Sequence, residues 1–151
     1  MTITHRIADF ADFADFAILI ELVKEFHENE HLPFDKQADS IVLEEILTNN
    51  SLGQVCLIQQ FNEVIGYIII TLGYSLEYGG RDAFIDEFYL RPNYRGQGIG
   101  TKTLEFIEGA CLALGVKALH LEVDFDNANA QRLYHRVGYK KHERYLMTKW
   151  L

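Results

Sequence analysis

Asp86-Glu-Phe-Tyr-Leu-Arg-Pro-Asn-Tyr-Arg-Gly-Gln-Gly-Ile-Gly-Thr101 decides the fold: a strand that breaks at Pro92 and re-enters as a helix through three alternating glycines. Ala83 to Leu90 reads as the strand. Gly98 to Leu114 reads as the helix, because Leu104, Ile107, Cys111 and Leu114 recur at steps of three and four and Gly115 supplies a stop. Backbone without Cβ atoms at a helix N-terminus offers free N–H groups and the positive end of the dipole, a cradle for phosphate or pyrophosphate. Arg95 adds a full charge beside it. A Walker A loop needs Gly-x-x-x-x-Gly-Lys-Ser/Thr, which is absent. A dinucleotide fingerprint needs Gly-x-Gly-x-x-Gly, whereas Gly96, Gly98 and Gly100 give Gly-x-Gly-x-Gly. Glu122 could imitate its ribose-binding acid, but antiparallel strands precede the loop and the chain after it is too short for that fold. The plain alternative is that the glycines only permit a tight turn.

Upstream, Gln54 to Gln59 and Val64 to Thr71 are β-rich runs separated by Phe61-Asn62-Glu63, an antiparallel hairpin, and Tyr74 to Arg81 is a polar connector. Three copies of Ala-Asp-Phe fill Ala8 to Phe16. They read as a helix entrance with Phe10, Phe13 and Phe16 near one face, continued by Leu19, Leu22, Val23 and Phe26 to about His27 and ended by Leu32-Pro33. A second helix is expected from an N-cap at Ser40 to Thr48. Downstream come a short strand at Ala118 to Val123, a helix at Ala128 to Arg136 capped by Asn127, and one or two closing strands within Tyr139 to Lys149. The order predicts a mixed-sheet α/β (α+β) domain over 1–151, antiparallel first, with one parallel strand-helix-strand crossover in its second half.

Composition agrees with a globular chain: 151 residues, 48% hydrophobic and 24% charged, with two prolines and eleven glycines, which excludes disordered and collagen-like proteins. No apolar run reaches the roughly 18 residues of a membrane span. Asp9, Asp12 and Asp15 stand where a signal peptide would be basic and then apolar. The expectation is a cytoplasmic protein with no membrane partner. Cys56 and Cys111 each sit in an apolar segment and read as buried, reduced thiols. The net charge of −8 opposes phosphate backbones and favours cationic partners, so an amine is expected and nucleic acid is not. A homodimer is compatible with this reading.

His27-Glu-Asn-Glu-His31 matches the His-Glu-x-x-His pattern of zinc peptidases, with Glu44 or Glu45 as a conceivable third ligand. That pattern needs both histidines on one face of a continuing helix. Pro33 disfavours helix at Leu32, so no metal is expected. His5, His120, His135 and His142 carry no ligand spacing. Glu28, Glu30 and Asp35 admit two readings of equal weight, recognition of a cationic acceptor or a solvated acidic loop.

Arg95-Gly-Gln-Gly-Ile-Gly100 resembles the Arg/Gln-x-x-Gly-x-Gly/Ala signature of the GNAT N-acetyltransferases, and the strand ending in Leu90-Arg-Pro92 is similar to that family's fourth strand. A second family element, Asn127-Ala-Asn-Ala130, Leu133-Tyr134 and Gly138-Tyr139, follows at family spacing, so the resemblance covers about residues 84 to 140. It implies the GNAT acyl-CoA N-acyltransferase fold, splayed between strands four and five, and acetyl-CoA (coenzyme A) as co-substrate. By the same resemblance, backbone groups of Phe88, Tyr89 and Leu90 pair with the pantetheine arm, and Arg95, Gly96, Gln97, Gly98, Ile99, Gly100 and Thr101 hold the pyrophosphate. Asn127 and Ala130 meet the cofactor arm, Tyr134 points at the thioester sulfur, and Asp86 and Glu87 are acids at the positions of the base. The implied activity is acetyl transfer to a small-molecule amine. Acetylation of protein N-termini or lysines, and a non-catalytic acyl-CoA sensor, are the alternatives.

The chemistry sets requirements of its own. A lysine-like amine of pKa about 10.4 costs roughly 4 to 5 kcal/mol to deprotonate at pH 7, so a nearby carboxylate or water chain must take its proton. Adjacent strand residues face opposite ways, so one of Asp86 and Glu87 faces the sheet centre; Glu87 is preferred, and a surface pair with Arg81 or Arg91 is the other role for either. A phenol of pKa about 10 can protonate a departing thiolate, which fits Tyr134, although a core tyrosine would look the same. An N–H of the interrupted strand, at Leu90, would meet the oxyanion. Neither cysteine is placed as an acyl-enzyme nucleophile.

Overall fold

The β-rich runs pair as their patterns predict. In the computed structural model, which describes residues 2–151, β2 (Gly53–Gln60) and β3 (Glu63–Ser75) form the hairpin, turning at Phe61 in the left-handed region (φ 54°). β3 pairs antiparallel with β4 (Gly80–Leu90), and β4 pairs parallel with β5 (Ala118–Leu121) after the crossover helix. A first strand, β1 (Ile3–Ile7), lies antiparallel along β2 from Ile3 opposite Gln60 to Ile7 opposite Cys56. The sequence reading missed it, because five residues of which two are charged or titratable carry little strand signal. The sheet order is β1-β2-β3-β4-β5.

Helix α1 (Phe13–Asn29) begins where the Asp12 side chain accepts from Ala14 N and Asp15 N. The Ala-Asp-Phe repeat is therefore mostly not helix. Phe10 packs edge-on against Phe16 at 5.6 Å, while Phe13 points into solvent at 91% exposure, contrary to the shared face expected. A period of three falls short of 3.6 and walks around the helix. Helix α2 (Lys36–Thr48) starts earlier than the Ser40 cap predicted, because Asp35 caps it by accepting from Ala38 N. Both helices cover one face of the sheet, where Leu19, Leu22, Val23 and Leu43 pack on Val55, Leu57, Tyr67, Ile69 and Tyr89. Helix α3 (Ile99–Ala113) and α4 (Ala128–Arg136) cover the other, over Cys56, Ile68, Ile70, Ala83 and Ile85. Asp15, only 2% exposed, is held by a two-pronged pair with Arg6 at 2.6 and 2.7 Å and by the Asp9 amide.

The closing strands expected within Tyr139 to Lys149 do not form: 139–151 is irregular and largely exposed. Arg144 makes a two-pronged pair with Glu77 in the β3–β4 turn, at 2.9 and 2.5 Å. Among the described residues no helix is long and apolar enough to cross a membrane.

Candidate active site

The β3–β4 ladder carries one irregularity, and the site is built on it. Register runs from Ile70 opposite Ile85 to Ile69 opposite Glu87, which leaves Asp86 as an extra residue on β4. Such a bulge bends a strand and re-aims its side chains. β5 leaves β4 at the same level, its last pair being Ile85 with Leu121, so β4 continues to Leu90 with one side open. Beyond the bulge the Arg91 amide donates to the Ile65 carbonyl at 2.9 Å. The alternation of an antiparallel ladder then turns the N–H and C=O of Phe88 and Leu90 toward the open side. Tyr89, two residues before Arg91 and opposite Tyr67, turns its backbone groups to β3 instead.

This open edge leads into the glycine turn. Pro92–Tyr94 makes a single 3-10 turn, and α3 starts at Ile99 with Gly98 as N-cap. Gly96 (φ 75°) and Gly98 (φ 82°) are left-handed, and a Cβ on either would meet nothing within 4 Å. The turn thus presents bare backbone to open space at the positive end of a 15-residue helix whose first N–H groups receive no side-chain cap. Gly100 differs: its Cβ would stand 3.2 Å from Leu133 and 3.9 Å from Phe88, so here glycine lets α3 approach α4 and β4. Ile99 is buried in the core, and Thr101 is half-buried one residue further on. Gln97 donates to the Asn93 carbonyl at 3.2 Å. Arg95 folds back over the strand end, Nε donating to the Leu90 carbonyl at 2.8 Å and the guanidinium lying 5.6 Å from the Tyr89 ring centre. The bare turn, the free N–H groups and this cation fit a pyrophosphate.

The two acids at the bulge have different surroundings. Glu87 turns to the α1/α2 face, where Oε1 accepts from the Tyr67 hydroxyl at 2.8 Å and Oε2 lies 2.6 Å from His27 Nε2. Burial lifts the Tyr67 phenol far above its ordinary range, and Glu87 adds to this, so Tyr67 stays a donor. Burial disfavours the charged form of His27, but the hydrogen bond and charge of Glu87, the Pro33 carbonyl and Asp39 outweigh it and raise its pKa. Asp86 lines an open cavity of about 270 Å³ with Thr71, Phe84, Ile85 and Glu122. Its side chain reaches solvent, yet the protein crowded about the carboxyl raises its pKa, against a smaller pull from His27. Neither acid meets the arginines considered for them: Arg91 binds Glu21 and Glu25, and Arg81 donates to the Leu114 carbonyl.

Tyr134 projects from α4 on the α3 side of the sheet, edge-on to Tyr139 at 5.8 Å. Burial raises its pKa, and Glu30 raises it further. Glu28, Glu30 and Asp35 are all exposed; Asp35 is already engaged as the α2 cap. Asn127 caps α4, its side chain accepting from Ala130 N at 3.2 Å. Both cysteines are free and buried, and burial pushes the Cys56 thiol up to about 12 and Cys111 up to about 11, so neither is a ready nucleophile. The zinc pattern is not assembled. His31 lies beyond α1 with φ 56°, while His27 is committed to Glu87. Two residues of the site escaped the sequence reading, His27 as the partner of Glu87 and Tyr67. No local signal marks either, since their contacts span 60 and 20 residues.

Known proteins resemble this chain in sequence and in fold. A thialysine N-epsilon-acetyltransferase of Bos taurus is 28% identical over 134 residues, 80% of this chain and 75% of the relative. An aminoalkylphosphonate N-acetyltransferase of Salmonella typhimurium is 31% identical over 79 residues, 52% of this chain and 51% of the relative. The structure of an integron cassette protein from the mobile metagenome of Cole Harbour Salt Marsh superposes with a TM-score of 0.85 at 33% identity, covering 97% of this chain and 90% of that one. A structure described as a predicted acetyltransferase with acetyl-CoA, from Clostridium acetobutylicum, has the same fold, with a TM-score of 0.80 at 19% identity over 98% of this chain and 96% of that one. The sequence pattern of the acetyltransferase (GNAT) family matches residues 17–139, and the mixed sheet with its parallel β4–β5 pair is that family's fold; the chain belongs to the GNAT acetyltransferases.

Proposed function

We propose that this protein moves an acetyl group from acetyl-CoA to a primary amine by direct attack in a ternary complex, and that its preferred acceptor is a small cation. The observation that carries this reading is Glu87, a partly water-accessible carboxylate held at the β4 bulge, where the open strand edge runs on into the glycine turn. The pyrophosphate would sit on the amides from Gly96 to Thr101 with Arg95 beside it, and the pantetheine arm would add to the open edge at Phe88 and Leu90. The acetyl group would then lie near the bulge, at the far end of the open edge from the glycine turn. Glu87 takes the proton of the incoming ammonium through water, Asp86 standing by in the adjoining cavity. Tyr134 gives its proton to the departing thiolate and regains one from the acylated nitrogen, so one proton is released per turnover. The net charge of −8 and the acids Glu28, Glu30 and Asp86 favour a cationic acceptor. The relatives named for thialysine and aminoalkylphosphonate support an amine. The test is release of coenzyme A thiol across a panel of polyamines, amino acids, aminoglycosides and lysine peptides. Thiol release no faster than hydrolysis with every amine, while acetyl-CoA still binds, would replace the enzyme by an acyl-CoA sensor.

A further inference from the structure

His27 is the buried-side partner that the mechanism above leaves unused. It stands near the end of α1, its side chain 13% exposed and that of Glu87 17%, with both ring nitrogens engaged. Nδ1 lies 3.0 Å from the Pro33 carbonyl oxygen, which can only accept, so Nδ1 carries a hydrogen. Nε2 lies 2.6 Å from Glu87 Oε2. At that distance an imidazole lone pair facing a carboxylate lone pair would repel, so a proton lies between them. Glu87 Oε1 is meanwhile fixed by the Tyr67 hydroxyl. The groups facing this pair are Tyr67 from β3, Asp86 from β4 and Asp39 from α2.

We propose that His27 and Glu87 act as one proton-accepting pair, the proton drawn from the incoming ammonium coming to rest between His27 Nε2 and Glu87 Oε2. The inference rests on the acetyl-transfer reading. In the working state the pair has lost its bridging proton: His27 is neutral with Nδ1–H on Pro33, and Glu87 is a carboxylate. The ammonium N–H bond breaks, the proton passes through water to the pair, and an N–H or O–H bond forms in the gap, so the pair goes from −1 to neutral. The freed amine attacks the thioester carbonyl, and the pair returns its proton to solvent after the products leave. A carboxylate alone titrates near pH 4.3 and is a weak acceptor for an ammonium, whereas imidazole titrates near neutrality, where proton acceptance is most efficient. Tyr67 and the Pro33 carbonyl are positioning groups: one holds the carboxylate and the other fixes the tautomer.

The experiment has two arms. The first follows the His27 ring by NMR titration in the free protein and needs no turnover. Its midpoint should lie above 6.5 in the wild type, because Glu87 holds the imidazolium, and should drop in Glu87→Gln. The second measures kcat/KM against pH by thiol release for wild type and His27→Gln, whose amide can still donate to Glu87 but cannot titrate. Wild-type activity should rise through the same midpoint. His27→Gln should lack that limb and lose roughly 10²-fold at neutral pH, the low end for a lost general base. Its melting temperature reports whether it has folded. A midpoint at or below 6.5, or a folded His27→Gln that keeps both the limb and the rate, overturns the pair while leaving the acetyltransferase standing. Absence of transfer to every amine overturns the acetyltransferase reading and the pair with it.

Discussion

Substitution of Gly98 separates the cradle from the fold that carries it. The residue sits at φ 82°, ψ 2° as N-cap of α3, and a Cβ there meets nothing within 4 Å. Alanine therefore adds only the left-handed penalty of about 1 to 2 kcal/mol. For a chain of about 150 residues that lowers the melting temperature by roughly 2 to 8 °C. Aspartate tolerates the left-handed region better, and its charge at the positive end of the helix returns about 0.3 to 1 kcal/mol, so its melting temperature should fall no further than that of alanine. The ligand feels the opposite. A pyrophosphate seated on the first α3 amides would lie about 5 Å from the new carboxylate, and at an effective dielectric of about 20 each pair of charges repels by about 3 kcal/mol. Allowing for screening, Gly98→Asp should weaken acetyl-CoA by about 2 to 4 kcal/mol, a factor of roughly 30 to 1,000. Gly98→Ala should cost less than tenfold. Titration calorimetry with acetyl-CoA, run beside thermal melts, reads both quantities. Equal affinities of the aspartate and alanine variants would refute the anion cradle, because charge alone distinguishes them.

Three further outcomes are expected. Tyr134→Phe keeps the ring against Tyr139 but removes the hydroxyl; acetyl-CoA affinity should hold, kcat should fall by roughly 10² to 10⁴, and the alkaline limb, which burial and Glu30 place above pH 10, should vanish from the pH profile. Full activity with the limb intact would make Tyr134 a packing residue. Glu28→Gln combined with Glu30→Gln should raise the acceptor KM and leave acetyl-CoA affinity alone; steady-state kinetics showing equal effects on both substrates, or none, would reduce these acids to solvated surface. Asp15→Asn should cost about 1 to 2 kcal/mol in denaturant melts, since it breaks the two-pronged pair but leaves Arg6, 41% exposed, free to rehydrate. The Arg6 hydrogen bond, then the Asp9 amide and the Arg6 charge, hold the Asp15 carboxyl below 3.8 against its burial. Its contribution is therefore complete well above pH 3.8 and is lost as pH falls through the folded value, so the variant should show a shallower acid limb below pH 4.

Elements set by local chemistry were legible in the sequence. The α3 period, the hairpin at Phe61-Asn62 and the Asn127 cap are each decided by a few adjacent residues, and each forms as read. Elements chosen by competition were not. Asp35 and Ser40 are both good caps, and the earlier one wins. Tyr139 to Lys149 has strand-like residues but stays irregular, and nothing local marks that outcome. In the site, the Asp86-Glu87 dipeptide could be singled out from sequence, yet its alternation was read on a regular strand. A bulge has no compositional mark, and the partners that give Glu87 its character arrive from α1 and β3.

That bulge joins otherwise separate features of the site. If the ladder that seats Ile85 opposite Ile70 ran on without a bulge, Asp86 would stand opposite Ile69 and residue 87 would pair with Ile68. Ile68 belongs to the α3 face, so Glu87 would then face that core instead of Tyr67 and His27. The same kink lies where β5 stops, so the open edge at Phe88 and Leu90 begins within a residue or two of Glu87, the base proposed above. The bulge therefore sets the proposed base at the start of the open edge, and a ladder that ran on in the register of Ile85 would leave the edge but turn Glu87 away from Tyr67 and His27.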